Sequence, residues 1–368
     1  MAEKAYKYRI YPNKKQKELI AKTFGCTRFV YNYYLNKRKE MYENDKITFT
    51  YNMCSKDLTQ LKKELEWLKE PDKDSLQKCL KDLDMAYQKF FKEHTGYPKF
   101  RSKKNRYQSY RTSCTNNNIR FENKKIKLPK LGLVKTRDKQ IPQGRILNAT
   151  ISQEPNGHYY CSICCTDVEL EQLPKTNRNI GLDLGLVDFA ILSDGTKIDN
   201  PQFFEKSEQK LAKLQRELSR KTIGSNRWNK VRIKVANLQK HISNQRNDFL
   251  QKLTTEIVRT YDVIAIEDLD VKAMKETDST IRNKRIGDVS WSEFRRMLTY
   301  KTQWYGKELS VIDRYYQSSQ ICPVCGHTDG KKSEDIRFWI CPECHSELDR
   351  DINAAINILN EGLRILNV

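Results

Sequence analysis

Apolar side chains recur at helical spacing over much of the first hundred residues. The opening segment KAYKYRIYP alternates as a short strand does, and Pro12-Asn13 then leads into a helical stretch from about Lys14 to Asn44. Two further helical stretches follow, and their apolar positions are Leu58, Leu61, Leu65 and Leu68, then Leu76, Leu80, Leu83, Tyr87, Phe90 and Phe91. The pattern predicts a helical bundle over residues 14–94, whose apolar stripes are explained by packing between helices.

The pattern changes to alternation over residues 112–172, which predicts a small β domain. Its turn signals are Glu122-Asn123, Leu131-Gly132 and Asn156-Gly157. We expect the amino-terminal strand to complete this sheet. The cysteines of HYYCSICCTDV resemble half of a metal site, but adjacent strand residues face opposite sides of a sheet. We therefore interpret Cys161, Cys164 and Cys165 as buried strand cysteines rather than ligands.

The second half of the chain alternates between strand and helix signals. Residues 179–199 predict two strands around the turn Ser193-Asp194-Gly195, and a long helical pair follows at about 203–221 and 227–259. Residues 263–266 form a fully apolar run, as in a buried parallel strand, and residues 352–359 have a helical pattern. Functional side chains are found at the carboxyl ends of buried parallel strands.

The charge balance narrows the possible partners. Of the 368 residues 38% are hydrophobic, and 68 Lys and Arg against 47 Asp and Glu give a formal net charge of +21. Such an excess repels itself unless a polyanion neutralises it, and we favour nucleic acid over a membrane surface as that polyanion. No apolar run approaches the roughly 18 residues that spanning requires, and no signal peptide is apparent. We expect a multidomain protein of the cytoplasm or nucleoid, with its 11 cysteines reduced or bound to metal.

A basic segment rich in aromatic residues, GYPKFRSKKNRYQSYR, follows the predicted bundle. Cations can hold phosphates while rings stack on bases, so the segment indicates contact with nucleic acid. A solvated basic linker is the alternative, and the net charge of the chain favours the first interpretation. The candidate contacts are Lys99, Arg101, Lys103, Lys104, Arg106 and Arg111. The charged residues of the helical pair at 203–259 are also mostly basic, which favours a second surface that binds nucleic acid.

Four cysteines form the pattern C-x2-C-x15-C-x2-C. They are Cys322, Cys325, Cys341 and Cys344. Two such knuckles at this separation are typical of one structural Zn2+, with four thiolate ligands and no open coordination position. His327 and His345 adjoin the knuckles and could replace a cysteine, although four thiolates already suffice.

Three acidic residues stand where a nuclease could use them. Asp183 lies in the strand NIGLDLGL, Glu267 ends the apolar run, and Asp351 precedes the last helical stretch. Taken singly, each has an ordinary explanation, and Asp351 in particular suits a helix cap. Together they match the ribonuclease H-like arrangement, in which two strand carboxylates and one helix carboxylate converge on divalent metal.

Divalent metal explains why carboxylates are needed at these positions. Two Mg2+ ions, about 3.5–4 Å apart in such sites, activate a water and stabilise the leaving oxygen of a phosphodiester, and Mg2+ prefers oxygen ligands. We expect Asp183 to bridge both ions, with Glu267 and Asp351 each holding one. Other acids close in sequence are Asp268, Asp270 and Asp349. The first of these would point away, because it follows the strand end by one residue.

The chain resembles the TnpB (OrfB) proteins of insertion sequences, ancestors of the type V CRISPR effector nucleases. The resemblance covers essentially the whole chain, and its motifs are YKYRIYPNKKQ, LQKCLKDLDMAYQKFF, GYPKFRSKKNRYQSYR, NIGLDLGL, VIAIEDLDVKAM, SWSEFRRMLTYKTQWYGKEL, YYQSSQICPVCG and DRDINAAINIL. It implies an RNA-guided DNA endonuclease whose guide RNA comes from the transposon end. Such an enzyme recognises a short transposon-adjacent motif beside its double-stranded DNA target. Asp183, Glu267 and Asp351 fall on the family's catalytic positions.

The resemblance also implies a domain order within an α+β multidomain fold. It predicts a β-barrel wedge domain over residues 1–12 and 112–172, with a helical recognition domain inserted at 13–111. It further predicts a RuvC (ribonuclease H-like) α/β nuclease domain over 173–318 and 347–368. A zinc ribbon that binds the target nucleic acid is expected as an insertion at 319–346.

The wedge and recognition domains of this family read the adjacent motif. By local similarity the contacts would be Tyr51, Ser55, Lys73, Gln77 and Thr115, polar residues able to reach base edges or phosphates. Core packing or solvation explains each of them equally well. Two other functions stay open, namely RNA-guided binding of DNA without cleavage and a guide-independent transposase or resolvase. We expect neither a membrane partner nor a small-molecule substrate.

Overall fold

The computed structural model describes residues 2–277, 280–333 and 336–367. The remaining positions of the predicted domains, 1, 278–279, 334–335 and 368, lie outside the described residues. Two compact units divide the chain, one ending at Glu169 and the other beginning at Leu170. Both units combine helices with a sheet, which confirms the predicted mixed α and β multidomain class.

A helical bundle forms part of the first unit. Its helices are α1 (Lys14–Asp45), α2 (Tyr51–Glu64) and α3 (Lys73–Lys92), with a short 3-10 turn at Glu66–Lys69. Asn13 begins α1 with a capping box: its side chain accepts the Gln16 N–H at 2.9 Å, and the Gln16 side chain accepts the Asn13 N–H at 3.0 Å. The predicted helix from Lys14 is confirmed, and its start has this local cause.

The leucines of the second predicted helix pack into one core from two elements. Helix α2 ends at Glu64, and Leu68 lies in the 3-10 turn before Pro71. Leu58 and Leu68 are nevertheless both buried in the same cluster. The leucine spacing therefore identified the buried side chains but not the end of the helix, because a 3-10 turn also returns side chains to one face every three residues.

An antiparallel sheet of seven strands completes the first unit. Its strands are β1 (Ala2–Tyr11), β2 (Gln108–Ser113), β3 (Arg120–Glu122), β4 (Lys125–Leu128), β5 (Gly132–Thr136), β6 (Arg145–Gln153) and β7 (Tyr159–Val168). The order is β2-β6-β7-β1-β5-β4-β3, so the amino-terminal strand lies inside the sheet, as predicted. Cys161 and Cys165 are buried on one face of β7 and Cys164 is half-buried on the other, as expected for strand cysteines.

Five strands form one mixed sheet in the described part of the second unit. They are β8 (Asn179–Asp183), β9 (Asp188–Leu192), β10 (Lys197–Asp199), β11 (Val263–Glu267) and β12 (Glu308–Ile312). The order is β10-β9-β8-β11-β12, in which β8, β11 and β12 are parallel. Three strands occupy residues 179–199, where two were predicted. The chain turns once more after β8, where the Gly185 N–H donates to the Phe189 carbonyl oxygen at 3.3 Å.

Helices and a small ribbon complete the second unit. The helices are α4 (Phe203–Ser219), α5 (Asn226–Thr260), α6 (Val271–Thr277), α7 (Thr280–Val289), α8 (Trp291–Tyr305) and α9 (Arg350–Leu366). The ribbon strands β13 (Phe338–Ile340) and β14 (Glu347–Asp349) pair just before α9. The predicted helical pair is α4 and α5, and Ser225 caps α5 by accepting the Trp228 N–H. No helix in the described part of the chain is long and apolar enough to cross a bilayer.

Helix α9 packs so closely on the sheet that the contact has no room for a side chain at two glycine positions. A Cβ atom added at Gly181 of β8 would lie 2.2 Å from the Ala355 carbonyl oxygen, and one added at Gly362 would lie 2.5 Å from the Ala265 Cβ. Glycine is therefore needed on both sides of this contact. The other face of the sheet packs against α5 and α8, with Phe294 fully buried between them. The amino terminus of α9 is thus held firmly beside the sheet edge.

Candidate active site and metal centre

Two of the predicted carboxylates end neighbouring parallel strands. Asp183 is the last residue of β8, and Glu267 is the last residue of β11. The register pairs Leu182 with Ile266, so the next positions along both strands are the two acids. Because parallel strands end at the same edge of a sheet, Asp183 and Glu267 lie side by side at the carboxyl edge.

The third predicted carboxylate lies in the first turn of α9. The cap of this helix is Asp349, whose carboxylate accepts the N–H groups of Asp351 at 2.9 Å and Ile352 at 3.1 Å and pairs with Lys197 at 3.0 Å. Burial opposes this charge, but these donors outweigh it and lower the pKa of Asp349. Capping is therefore done by Asp349. The Asp351 carboxylate instead binds Arg337, with 2.8 Å between Nη1 and Oδ2.

Asp183 lies close enough to Glu267 and Asp351 for both of their charges to act on it. Burial, followed by the charges of Glu267 and Asp351, raises the pKa of Asp183 to about 7, against the opposing charge of Arg350. Burial also raises the pKa of Glu267, although the Ser318 hydroxyl donates to it at 2.7 Å. Crowded carboxylates of this kind favour a divalent cation, and their hard oxygen atoms are the ligands that Mg2+ prefers. The donor set therefore fits Mg2+.

A cavity of about 860 Å³ opens at this edge of the sheet. Asp183, Asp349 and Asp351 line it, whereas Glu267 is not among its lining residues in the described part of the chain. The basic residues that line it are Lys197, Arg282, Arg285, Arg337 and Arg350. Arginine matches the geometry of phosphate oxygens, so a cavity with acids inside and arginines around them suits a phosphodiester.

The acids next to Glu267 in sequence are bound elsewhere. Asp268 pairs with Arg295 and, at 2.7 Å, with Arg314. Asp270 pairs with Arg314 at 2.9 Å and accepts the Ala273 N–H at 3.0 Å. The Arg314 and Arg295 hydrogen bonds lower the pKa of Asp268, and the Ala273 N–H followed by Arg314 lowers that of Asp270. Both acids are thus ionised partners of arginine outside the cavity.

The four predicted zinc ligands converge. Their Sγ atoms all lie within 4.8 Å of one another, with Cys322–Cys344 and Cys325–Cys341 at 3.6 Å. Tetrahedral zinc with Zn–S bonds of about 2.3 Å requires sulfur atoms roughly 3.8 Å apart, so the group fits Zn2+. In the described part of the chain, no other group of three or more His, Cys, Asp and Glu side chains is packed as closely. His327 and His345 are not part of the cluster.

Hydrogen bonds connect the segment leading to the cysteine cluster with α9. The Asn353 and Asn357 amides of α9 donate to the Ser318 carbonyl oxygen at 3.2 and 2.8 Å, and Asn357 also donates to the Ile321 carbonyl oxygen at 2.7 Å. Both asparagines are buried. The segment that enters the first knuckle and the helix that carries Asp351 are therefore one connected structure.

The basic segment is partly engaged within the first unit. Arg101 and Arg111 both pair with Asp82, at 3.4 and 2.7 Å, and the Arg101 guanidinium lies over the Tyr31 ring at 4.0 Å from its centre. The other predicted contacts, Lys99, Lys103, Lys104 and Arg106, are exposed. Two of the six candidates are thus internal ion-pair partners as well.

Three of the five predicted motif contacts meet. The Gln77 Oε1 atom accepts hydrogen bonds from Tyr51 Oη at 3.2 Å and Ser55 Oγ at 3.1 Å. Lys73 is exposed at the start of α3. Thr115 is exposed in a turn, where its N–H donates to Asn118 Oδ1 at 2.9 Å. Tyr51, Ser55 and Gln77 form one polar patch between α2 and α3.

Two residues beside the carboxylates were missed in the sequence. Arg337 pairs with Asp351, and Ser318 donates to Glu267 across 51 residues of sequence. Neither stands in a pattern that marks it, because a lone arginine in a basic chain and a lone serine in a loop are common.

Family models match three stretches of the chain. Residues 1–46 match the model described as "Helix-turn-helix domain". Residues 162–278 match OrfB_IS605, described as "Probable transposase". Residues 291–358 match "Cas12f1-like, TNB domain", the stretch that contains the four cysteines and Asp351.

Two relatives are similar over nearly the whole chain. A protein of Streptomyces pristinaespiralis named "Putative RNA-guided DNA endonuclease" is 37% identical, over 98% of this chain and 90% of its own. One of Escherichia coli K12, "Putative RNA-guided DNA endonuclease InsQ", is 33% identical, over 98% and 93%. The solved "Cryo-EM structure of the Cas12f1-sgRNA-target DNA complex" covers 98% of this chain and 99% of that one, with a TM-score of 0.62 at 11% identity. It shows a shared fold.

Proposed function

The chain belongs to the TnpB (OrfB) family, and on that premise we propose that it is an RNA-guided DNA endonuclease. The observation that supports cleavage is the convergence of Asp183, Glu267 and Asp351 at one sheet edge, beside a cavity lined with arginine. The guide is an RNA derived from the transposon end. It pairs with one strand of a double-stranded DNA target that lies next to a short transposon-adjacent motif. The protein would act on DNA in the nucleoid.

We assign each residue of the site a role in a RuvC reaction that uses two metal ions. Bound Mg2+ would supply a nucleophilic water and stabilise the leaving 3′ oxygen. Asp183 would bridge the two ions, and Glu267 and Asp351 would each hold one. The Ser318 hydroxyl fixes the orientation of Glu267. Arg337 lines the cavity and can exchange its contact with Asp351 for a phosphate oxygen.

The domain roles are proposed in the same way. Residues 1–12 and 112–172 are proposed as the wedge domain, and residues 13–111 as the recognition domain. In the structure β2 already begins at Gln108, so the sheet starts before the predicted boundary. The patch of Tyr51, Ser55 and Gln77, together with Lys73 and Thr115, is proposed to read the adjacent motif. The exposed basic segment is proposed to hold nucleic-acid phosphates. Residues 173–318 and 347–368 form the nuclease domain, and residues 319–346 form the zinc ribbon beside the target strand.

A plasmid-cleavage assay tests the proposal. RNA that copurifies with the protein is sequenced first, and a matched target is placed beside a randomised flank so that the adjacent motif is found in the same experiment. Wild type should cut with Mg2+ only when the RNA is present, and Asp183→Ala should not cut. Asp199→Ala is the control, because Asp199 is an exposed acid of the same sheet. Cutting by Asp183→Ala, or cutting without RNA, refutes the assignment. Guided binding without any nick supports a repressor instead.

A further inference from the structure

Phe338 is an apolar ring held in solvent beside the proposed catalytic carboxylates. It begins β13, is 75% exposed, and lines the same cavity as Asp183 and Asp351. Single exposed apolar residues are common on protein surfaces and need no special explanation. This one differs in its place, because it lines the cavity that Asp183 and Asp351 also line.

The zinc ribbon fixes the position of this ring. Phe338 pairs with Asp349 in the ladder between β13 and β14, two residues before Asp351. The next residue, Trp339, is buried in the ribbon core with Cys341, one of the zinc ligands. Residues on either side of a buried strand residue face the other way, so Phe338 is directed outward from a rigid support.

Basic side chains flank the ring. Arg337 lies immediately before β13, and Arg350 follows Asp349, the ladder partner of Phe338; both arginines line the cavity. Cations for the phosphates combined with an aromatic face for the bases are the two parts of a site for single-stranded nucleic acid. Phe338 supplies the ring, and the two arginines supply the cations.

We propose that Phe338 stacks on an unpaired nucleobase next to the phosphate that is cut, and so keeps the strand in register in the cavity. This inference rests on the proposed function. The contact accepts any base, because every base has a π-face. Phe338 is a positioning residue that does not touch the reacting phosphate. Its loss should lower the fraction of bound targets that are docked for cutting, without weakening binding through the guide.

The test compares full-length Phe338→Ala, Phe338→Tyr and Ile340→Ala with the guide RNA bound. Ile340 is a matched control, because it is 60% exposed on the same face of β13 and does not line the cavity. In single-turnover cleavage Phe338→Ala should be about five- to a hundredfold slower, and its cuts should spread to neighbouring bonds. Target affinity and zinc content should be unchanged. Phe338→Tyr and Ile340→Ala should cut as wild type does.

Targets with one abasic nucleotide at successive positions identify the stacked base. Wild type should slow at one position by the same factor, and Phe338→Ala should not slow further there, because both changes remove one contact. If wild type does not cut at all, the proposed function is wrong and this inference falls with it. Stacking by Phe338 is refuted if wild type cuts and Phe338→Ala cuts equally fast. It is also refuted if the slowing by Phe338→Ala and the slowing by the abasic nucleotide multiply when the two changes are combined.

Discussion

Asp183 should destabilise the metal-free protein, and removing its charge should make the fold more stable. Burial and the neighbouring carboxylates raise its pKa from 3.8 to about 7. Between these two pH values the folded chain holds a proton that the unfolded chain has released. The free energy of unfolding therefore falls as pH rises through this window. Below pH 3.8, the pKa of the unfolded chain's carboxyl, Asp183 lowers the free energy of unfolding hardly at all. Above about pH 7 its full destabilising effect is reached.

The rise of the Asp183 pKa sets how much unfolding free energy is lost. A rise from 3.8 to about 7, at about 1.36 kcal/mol for each whole pKa step, lowers the free energy of unfolding by roughly 4 kcal/mol at most. Asp183→Asn keeps the shape of the side chain without its charge. We expect it to raise the free energy of unfolding by roughly 2–4 kcal/mol at pH 8, and by much less at pH 4.5. For a unit of roughly 200 residues this corresponds to a melting temperature about 5–15 °C higher at pH 8.

Thermal unfolding in magnesium-free buffer measures this difference. EDTA should be avoided, because it would also remove zinc from the cysteine cluster. Added Mg2+ should raise the melting temperature of wild type at pH 8 and leave that of Asp183→Asn unchanged. Asp199→Asn, an exposed acid of β10, should behave as wild type does. A gain that is absent at pH 8, or equal at both pH values, would refute the reasoning.

Two further predictions concern the metal and the packing of α9. Cys344→Ala should lose zinc on dialysis, measured by atomic absorption, whereas Cys164→Ala in β7 should keep it; equal zinc in both variants would exclude the four-thiolate site. Gly181→Ala should lower the free energy of unfolding in urea by about 2 kcal/mol or more, because its Cβ would lie 2.2 Å from the Ala355 carbonyl oxygen. Gly96→Ala, where nothing lies within 4 Å, is the control, and equal stability of the two variants would contradict the close packing.

The three carboxylates show how much of the candidate site the sequence pattern can predict. Asp183 and Glu267 could be located because each ends an apolar run, and parallel strands bring such ends together. The choice of Asp351 over Asp349 could not be made from spacing, since either acid suits a helix start. It came from the family motif. The structure adds the physical reason, because Asp349 is engaged in capping α9 and in pairing with Lys197.

Contacts between distant segments could not be predicted. In sequence, Arg101 and Arg111 belong to a basic segment that we predicted to contact nucleic acid, yet in the fold both pair with Asp82 of α3. The Ser318 hydroxyl reaches Glu267 in the same way, from a loop without a motif. Periodicity reports which side chains are buried together. It does not report which acid lies beside a given base or hydroxyl after the chain has folded.

Helix α9 makes the proposed catalytic site depend on the order in which the chain is synthesised. It covers one face of the sheet, through Gly181 and Gly362, and it also carries the third carboxylate, Asp351. A growing chain that has emerged only as far as the zinc cluster holds Asp183 and Glu267 on an uncovered sheet. Such a chain lacks Asp351, one of the three carboxylates proposed to bind metal. On the proposed function, a chain interrupted before α9 would therefore be unable to cut the DNA around it.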